Sequence, residues 1–338
     1  MCWATLIAVY CLIVIGGVVR STGAGMGCPD WPTCFGRLVP PTSESQLPAD
    51  YKEVYLAKRQ AKNEKLARML GRMGFAHLAS DLRNEKMVGQ ETEFNAAKTW
   101  TEYLNRLAGA SVGFLFIATF VFSLAYRRFR PSVVWLSALA LVTVGFNGWA
   151  GSLVVSTNLL PWMVTVHMLL ALLLVALLVL LLHLTRSAEA RSTLTDRGPL
   201  NAILFSAVGC MVIQVALGTQ VRENVDRVAR MMDNTLRDTW IQNLGLVFYV
   251  HRSFSILLVL LAGALLWLVR QRGPSASALL RSCRILFFTT LFEVAAGASL
   301  AYLALPPFVQ PLHLGMAAII FGLQLQILLR LNERPSPA

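Results

Sequence analysis

Eight stretches of apolar residues dominate the chain, and each approaches the ~20 residues that a helix needs to cross a bilayer. They run roughly over 3–19, 99–125, 132–155, 162–185, 200–220, 245–269, 279–302 and 309–330. Inside lipid the backbone has no water to bond, so spans of this kind must close their hydrogen bonds internally as helices. Composition agrees, because 56% hydrophobic and only 14% charged residues are incompatible with a soluble domain of 338 residues. The predicted fold class is therefore an all-α integral membrane protein with eight transmembrane helices.

A net charge of +12 invites a nucleic-acid reading, but the placement of the charge argues for a membrane. Arginines cluster after spans 2, 4 and 6, as at Arg127, Arg128 and Arg130. The loops after spans 3 and 7 carry no Lys or Arg, and 221–243 carries four that four acids balance. The positive-inside rule then places both termini in the cytoplasm and excludes nucleic acid as a partner. Residues 21–98 form a loop too long to count under that rule, and parity puts them outside. The first span starts beside Met1 without a basic flank or a small-residue cleavage site, so it reads as a retained helix. Nothing resembles a mitochondrial presequence, and a bacterial inner membrane is expected.

Self-similarity organises the rest. Gly151 lies sixteen residues before His167 and Pro161 six before it; Gly297 and Pro307 hold the same places before His313. The copies are 146 residues apart, and that offset pairs Asn105-Arg106 with His251-Arg252. Upstream, Val19-Arg20 matches Val221-Arg222 at an offset of 202, the extra 56 residues being an insertion in the first external loop. The spans thus divide into two quasi-repeated four-helix bundles in the same orientation. The expected organisation is 1–20 as the first membrane helix and 21–98 as an external loop with a helical segment. Residues 99–186 complete the N-terminal bundle, 187–199 link, 200–331 form the C-terminal bundle, and 332–338 are a cytoplasmic tail.

Positions 105, 167, 251 and 313 all fall near the external start of an even-numbered span. His251 and His313 suit axial ligation of a heme iron between neighbouring helices; a helix–helix hydrogen bond is the bland alternative for either ring. His167 repeats His313, but its partner position holds Asn105, a poor iron ligand. That half is expected to leave one face of a bound heme open for chemistry. Glu102 lies one turn before Asn105, and its counterpart is Phe248, so a carboxylate is present only beside the incomplete ligand set. It is the candidate catalytic group, with an ion pair to Arg106 as the structural alternative. Arg20 and Arg222 are candidate contacts for heme propionates. His183 and His77 lie outside the repeat register and read as surface or interfacial residues. Glu293, opposite Asn147 in the repeat, fits either a hydrogen bond between helices or a proton route.

Cys2, Cys11, Cys210 and Cys283 lie in or beside apolar spans and behave as small hydrophobes. Cys28 and Cys34 sit in the external loop, where oxidation is permitted. A structural disulfide, a thiol–disulfide exchange pair and, less readily, half of a zinc site all stay open.

The segment Gly16-Gly17-Val18-Val19-Arg20-Ser21-Thr22-Gly23-Ala24-Gly25-Met26-Gly27-Cys28-Pro29-Asp30-Trp31-Pro32-Thr33-Cys34 resembles the signature after the first helix of the heme A synthase family. Trp100-Thr101-Glu102-Tyr103-Leu104-Asn105-Arg106 resembles that family's Glu-x-x-His-Arg segment, and the contexts of His167, His251 and His313 fit its other heme-associated histidines. The resemblance implies an oxidoreductase acting on a CH or CH2 group. It would oxidise the C8 methyl of heme O, through a hydroxymethyl intermediate, to the formyl of heme A for terminal oxidases. It further implies heme b as cofactor between His251 and His313, substrate heme beside His167, Asn105 and Arg106, Glu102 as catalytic residue, and an external pair of Cys28 and Cys34. Implied partners are heme O, a heme O synthase, terminal-oxidase assembly factors and membrane lipid, with homo-oligomerisation left open.

Three features depart from the family pattern. Asn105 replaces the usual His, residues 221–243 lack cysteines, and the insertion around 47–98 is long. Its run from Tyr51 to Met73 is helix-prone, with Lys58, Arg59, Lys62, Lys65, Arg68 and Arg72 against Glu64; it suits an anionic lipid surface, a partner protein or a solvated cap. The competing function is a b-type cytochrome that only transfers electrons, linked to quinone. A transporter has just the repeat in its favour.

Overall fold

A computed structural model describes residues 1–72, 74, 76, 79–80, 93–156, 161–186, 197–233, 235–272 and 277–333. His77, most of the 187–199 linker and the end of the tail lie outside the described residues. The helices are α1 (Cys2–Ser21), α2 (Tyr51–Arg72), α3 (Ala96–Ser123), α4 (Pro131–Ser156), α5 (Pro161–Thr185), α6 (Gly198–Met231), α7 (Leu246–Arg270), α8 (Ser277–Tyr302) and α9 (Val309–Leu331). All but α2 are long and apolar enough to cross a membrane, eight in total among the described residues.

Local chemistry explains several helix starts. Prolines open α4 and α5, and Pro199 stands in the first turn of α6, where a missing N–H leaves no helical bond unmade. Asn95 caps α3 by accepting the Lys98 N–H at 3.0 Å. One boundary differs from the hydropathy reading. Span 5 was expected to end near residue 220, yet α6 continues to Met231. At 34 residues it is about 51 Å long, roughly 20 Å more than the hydrocarbon core requires. Ion pairs Arg222–Asp226 (2.8 Å) and Arg227–Glu223 (3.2 Å) support this polar extension, which hydropathy does not detect.

Two closed rings of packed helices follow. Helix α1 packs on α3, α3 on α4, α4 on α5, and α5 back on α1; α6, α7, α8 and α9 repeat the circuit. The rings meet where α9 packs on α1 and α5, and α5 on α6. Helices α5 and α9 are consequently the most enclosed, with Leu172, Val175, Leu178 and Leu181 of α5 and Ala318, Ile320 and Ile327 of α9 almost fully buried. Close approach of α1 and α9 depends on small residues: a Cβ at Gly17 would lie 2.8 Å from Pro311 Cα, and one at Gly315 2.5 Å from Val14 Cγ2. Large apolar side chains such as Phe114, Trp135, Phe205, Leu260 and Phe288 are exposed on the outer surface of the rings, as a lipid-facing surface requires.

Each ring is capped at the end where α1 and α6 finish. Over the first ring lies the Cys28–Cys34 disulfide loop, with Phe35 packed edge-on against Tyr51 and Tyr55 of α2 and against Phe94. Helix α2 buries Asn63, Ala67 and Leu70 along one face and presents Lys58, Lys62 and Arg68 to solvent. Over the second ring, the α6 extension and a 3-10 turn at Arg237–Asn243 enclose Val225, Val228, Trp240 and Phe248.

Candidate functional site

Three histidines occupy one repeated seat. His167 on α5 lies against Gly151 on α4, His251 on α7 against Gly218 on α6, and His313 on α9 against Gly297 on α8. In each case a Cβ on the glycine would stand 3.2 Å from the imidazole Cε1. Any larger residue would push the ring aside. Each imidazole also lies beside the backbone of the residue one turn before its glycine, namely Asn147, Gln214 and Glu293. Gly218 is 202 residues after Gly16, the offset already seen for Arg20 and Arg222. By that register the fourth seat pairs Gly16 on α1 with the Asn105 position on α3. There the glycine survives with nothing within 4 Å of its would-be Cβ, Asn105 replaces the imidazole, and Leu12 replaces the polar residue one turn earlier.

His251 and His313 come from α7 and α9, which lie diagonally across the second ring, each packed on α6 and α8. Their ring centroids are 6.4 Å apart and the planes cross at 79°. Two imidazoles on opposite sides of one metal, with bonds of about 2 Å and about 1.1 Å from nitrogen to ring centre, stand about 6.2 Å apart. The separation fits an ion held between them. Among the described residues, no group of three or more His, Cys, Asp or Glu converges as a metal site. Two axial nitrogens alone do not complete a coordination sphere, so the donor set suits a metal that brings its own equatorial ligands, as a porphyrin iron does. The Nδ1 atoms of all three histidines are buried without a well-formed hydrogen bond, and the Glu293 carboxylate comes within 3.0 Å of His313 Nδ1.

Glu102 and Asn105 share α3, but Glu102 is turned toward the cap. It is 2% exposed, pairs with Arg106, and accepts the Cys28 N–H at 2.8 Å. Arg106 donates to the carbonyls of Asp30 (2.7 Å) and Thr33 (2.9 Å). Acid and base together clamp both ends of the disulfide loop. Asp30 finishes it by accepting from the Phe35 and Gly36 N–H groups at 2.6 and 2.9 Å. In the second half the corresponding Arg252 instead lies over the rings of Phe248 and Tyr249. The ion-pair alternative for Glu102 is thus present in full.

Arg20 and Arg222 meet at the junction of the rings, where both pair with Asp226, and Arg222 also donates to Gln310. Sequence comparison of the halves missed Asp226, whose counterpart is Ala24; its i,i+4 spacing from Arg222 was the available signal. The Nε atoms of Arg20 and Arg222 remain buried without a hydrogen bond. His183 lies far from these groups, near the other end of α5, with Nδ1 3.5 Å from Glu333.

An eight-span helical membrane protein with histidines from diagonal helices set against glycine is the class that fold and site define. Comparison with known proteins narrows it. Residues 1–76 and 72–325 match the COX15-CtaA family, described as cytochrome oxidase assembly protein, and the chain belongs to that family. Among curated relatives, the heme A synthase of Shewanella oneidensis is 23% identical over 72% of this chain and 62% of its own length. That of Nitrosospira multiformis is 24% identical over 93% of this chain and 87% of the relative. That of Wolbachia sp. subsp. Brugia malayi is 22% identical over 97% and 95%. No solved structure matches.

Proposed function

We propose that this protein is a heme A synthase, oxidising the C8 methyl of heme O through a hydroxymethyl stage to the formyl group of heme A. The observation that carries the reading is the asymmetry of the four seats, with an imidazole pair 6.4 Å apart in one half and a single imidazole in the other, whose cap alone holds a buried acid, Glu102. His251 and His313 would hold heme b, and that group would supply one-electron transfer when bound. His167 faces the substrate heme in the N-terminal bundle. Asn105, too weak a ligand to compete for iron, leaves room on the opposite side.

Glu102 is the catalytic residue of this proposal. Held by Arg106 and the Cys28 N–H, it keeps a fixed negative charge at the capped end of that bundle and stabilises positive charge developing on the substrate. Arg106 fastens the Cys28–Cys34 loop as a cover that excludes water. Arg20 and Arg222 offer their free Nε donors to propionates while Asp226 holds the guanidinium groups in place. The disulfide acts as a staple of the cover. By the charge of the short loops, both termini face the cytoplasm and the seats lie near the outer face. Heme O arrives from lipid or from its synthase, and the product passes to terminal-oxidase assembly factors.

The family match favours this reading over an electron-carrying cytochrome, which has no use for Glu102. The test is expression with a heme O source, followed by pigment extraction and chromatography. Heme A with the unmutated chain and its loss with Glu102→Ala support the proposal; heme b alone in both overturns it.

A further inference from the structure

The three filled seats differ in one respect that the proposed reaction does not use. The residue one turn before the seat glycine is an amide in two of them, Asn147 and Gln214, and a carboxylate in the third, Glu293. The empty seat has Leu12 there, so the polar residue occurs only where an imidazole does. Glu293 is 9% exposed in the middle of α8. Its Oε1 lies 3.0 Å from His313 Nδ1, and its Oε2 is buried without a hydrogen-bond partner. A carboxyl group in an apolar span is costly enough that a function is the default expectation, and here the imidazole is its polar neighbour. A lone core hydrogen bond would be served equally by the amides that the other two seats carry.

We propose that Glu293 is a positioning residue for the C-terminal heme, accepting the Nδ1 hydrogen of His313 so that Nε2 is left to the iron, and lowering that heme's reduction potential. The inference rests on the reading of His251 and His313 as axial ligands. A ligating imidazole that donates its second N–H to a carboxylate is fixed in tautomer and orientation and becomes a more basic ligand. A more basic ligand favours the oxidised iron, so the electron is released more readily toward a partner. The amide seats lack this effect because an amide oxygen carries no charge: Gln214 spends its Nε2 on the His251 carbonyl at 3.1 Å, and Gln214 Oε1 and Asn147 Oδ1 are both buried without a hydrogen bond. The seat chemistry therefore gives the heme held by His251 and His313 a bias that the His167 seat does not share.

The experiment is a spectroscopic redox titration of the purified, heme-loaded full chain and of Glu293→Gln, with heme content and low-spin absorption recorded for each. E293Q is expected to retain its heme and shift the equilibrium toward the reduced form by at least tenfold at a given potential, which is about 59 mV upward for a one-electron couple. Heme retained at an unchanged potential overturns the inference. Should E293Q not accumulate, Glu293→Asp and Glu293→Asn share a shortened side chain and differ in acid against amide. A higher potential in E293N than in E293D supports the proposal, and equal potentials overturn it. His251→Ala and His313→Ala separate the two levels of the argument. If they leave heme content and spectrum unchanged, the ligand reading itself fails; if they remove the heme while E293Q leaves the potential unmoved, only the role of Glu293 fails.

Discussion

Arginine 106 is the side chain whose removal gives the most quantitative test of the cover over the first ring. It is 15% exposed at the side chain and its partner Glu102 is 3% exposed, so the pair is shielded from solvent. Arg106→Ala deletes the donors to Asp30 and Thr33 and leaves Glu102 buried with the Cys28 N–H. Removing one member of a buried pair costs about 3–5 kcal/mol, because the other charge stays desolvated. That energy falls on opening of the loop, since the lost donors to Asp30 and Thr33 bridge α3 and the loop and since opening lets water reach the stranded Glu102 carboxylate. At about 1.4 kcal/mol per tenfold, the open population rises by roughly two to four orders of magnitude. Cys28 and Cys34 are 0% and 1% exposed, so a soluble reductant reaches their disulfide only through opening. The assay is the rate of disulfide reduction in the purified protein, trapped by alkylation and read by mass spectrometry. R106A is expected to react 10²- to 10⁴-fold faster than the unmutated chain. Glu102→Leu combined with Arg106→Met, which removes both charges, is expected to recover much of the loss. A rate for R106A within threefold of the parent refutes the clamp. So does a double variant as fast as R106A, because then no buried charge was left stranded.

Other outcomes follow from the same geometry. Glu102→Gln keeps an acceptor for the Cys28 N–H and leaves Arg106 on the Asp30 and Thr33 carbonyls, so loop opening is expected to rise less than in R106A by the reduction assay while heme A formation falls at least tenfold by pigment chromatography. Gly218→Val and Gly297→Val each put branched carbons where a single Cβ already stands 3.2 Å from an imidazole. Both are expected to lose most of the low-spin heme absorption, and full retention would show that the seats do not set ring position. Burial, followed by the neighbouring Glu44, raises the pKa of the Tyr51 phenol above its ordinary value of 10.0. The folded value lies above the unfolded one, so this contribution is complete below the ordinary tyrosine range and is lost as pH rises through the raised value. Proteolysis of α2 is therefore expected to accelerate on the alkaline side, and Tyr51→Phe should remove that component.

Much of the architecture was legible in the sequence because lipid imposes a simple rule on length and polarity. All eight spans and the Tyr51–Arg72 helix follow from apolar length and helix-forming composition. The end of α6 was not legible, since hydropathy marks where lipid stops and says nothing of a helix that continues on ion pairs. Register fared better than hydropathy at the site. An offset of 146 found the positions of His251 and His313, but not that Gly218 and Gly16 complete the seat pattern, which needs the offset of 202. Glu102 was placed beside Asn105 by helical spacing, yet spacing along one helix does not show what packs across from it. The disulfide loop, folded back from 74 residues upstream, supplies Cys28 N–H and draws the carboxylate toward the cap. Asp226 escaped notice for a related reason: two arginines 202 residues apart share it only because the rings meet there.

On the proposed reading, imidazoles from diagonal helices α7 and α9 clasp a heme across the second ring. The direct measurement is heme content and absorption of the purified chain beside His251→Ala, His313→Ala and His167→Ala. The expected result is a low-spin heme lost or converted to high spin in the first two variants and kept in the third. A low-spin heme that survives when both His251 and His313 are replaced contradicts the account.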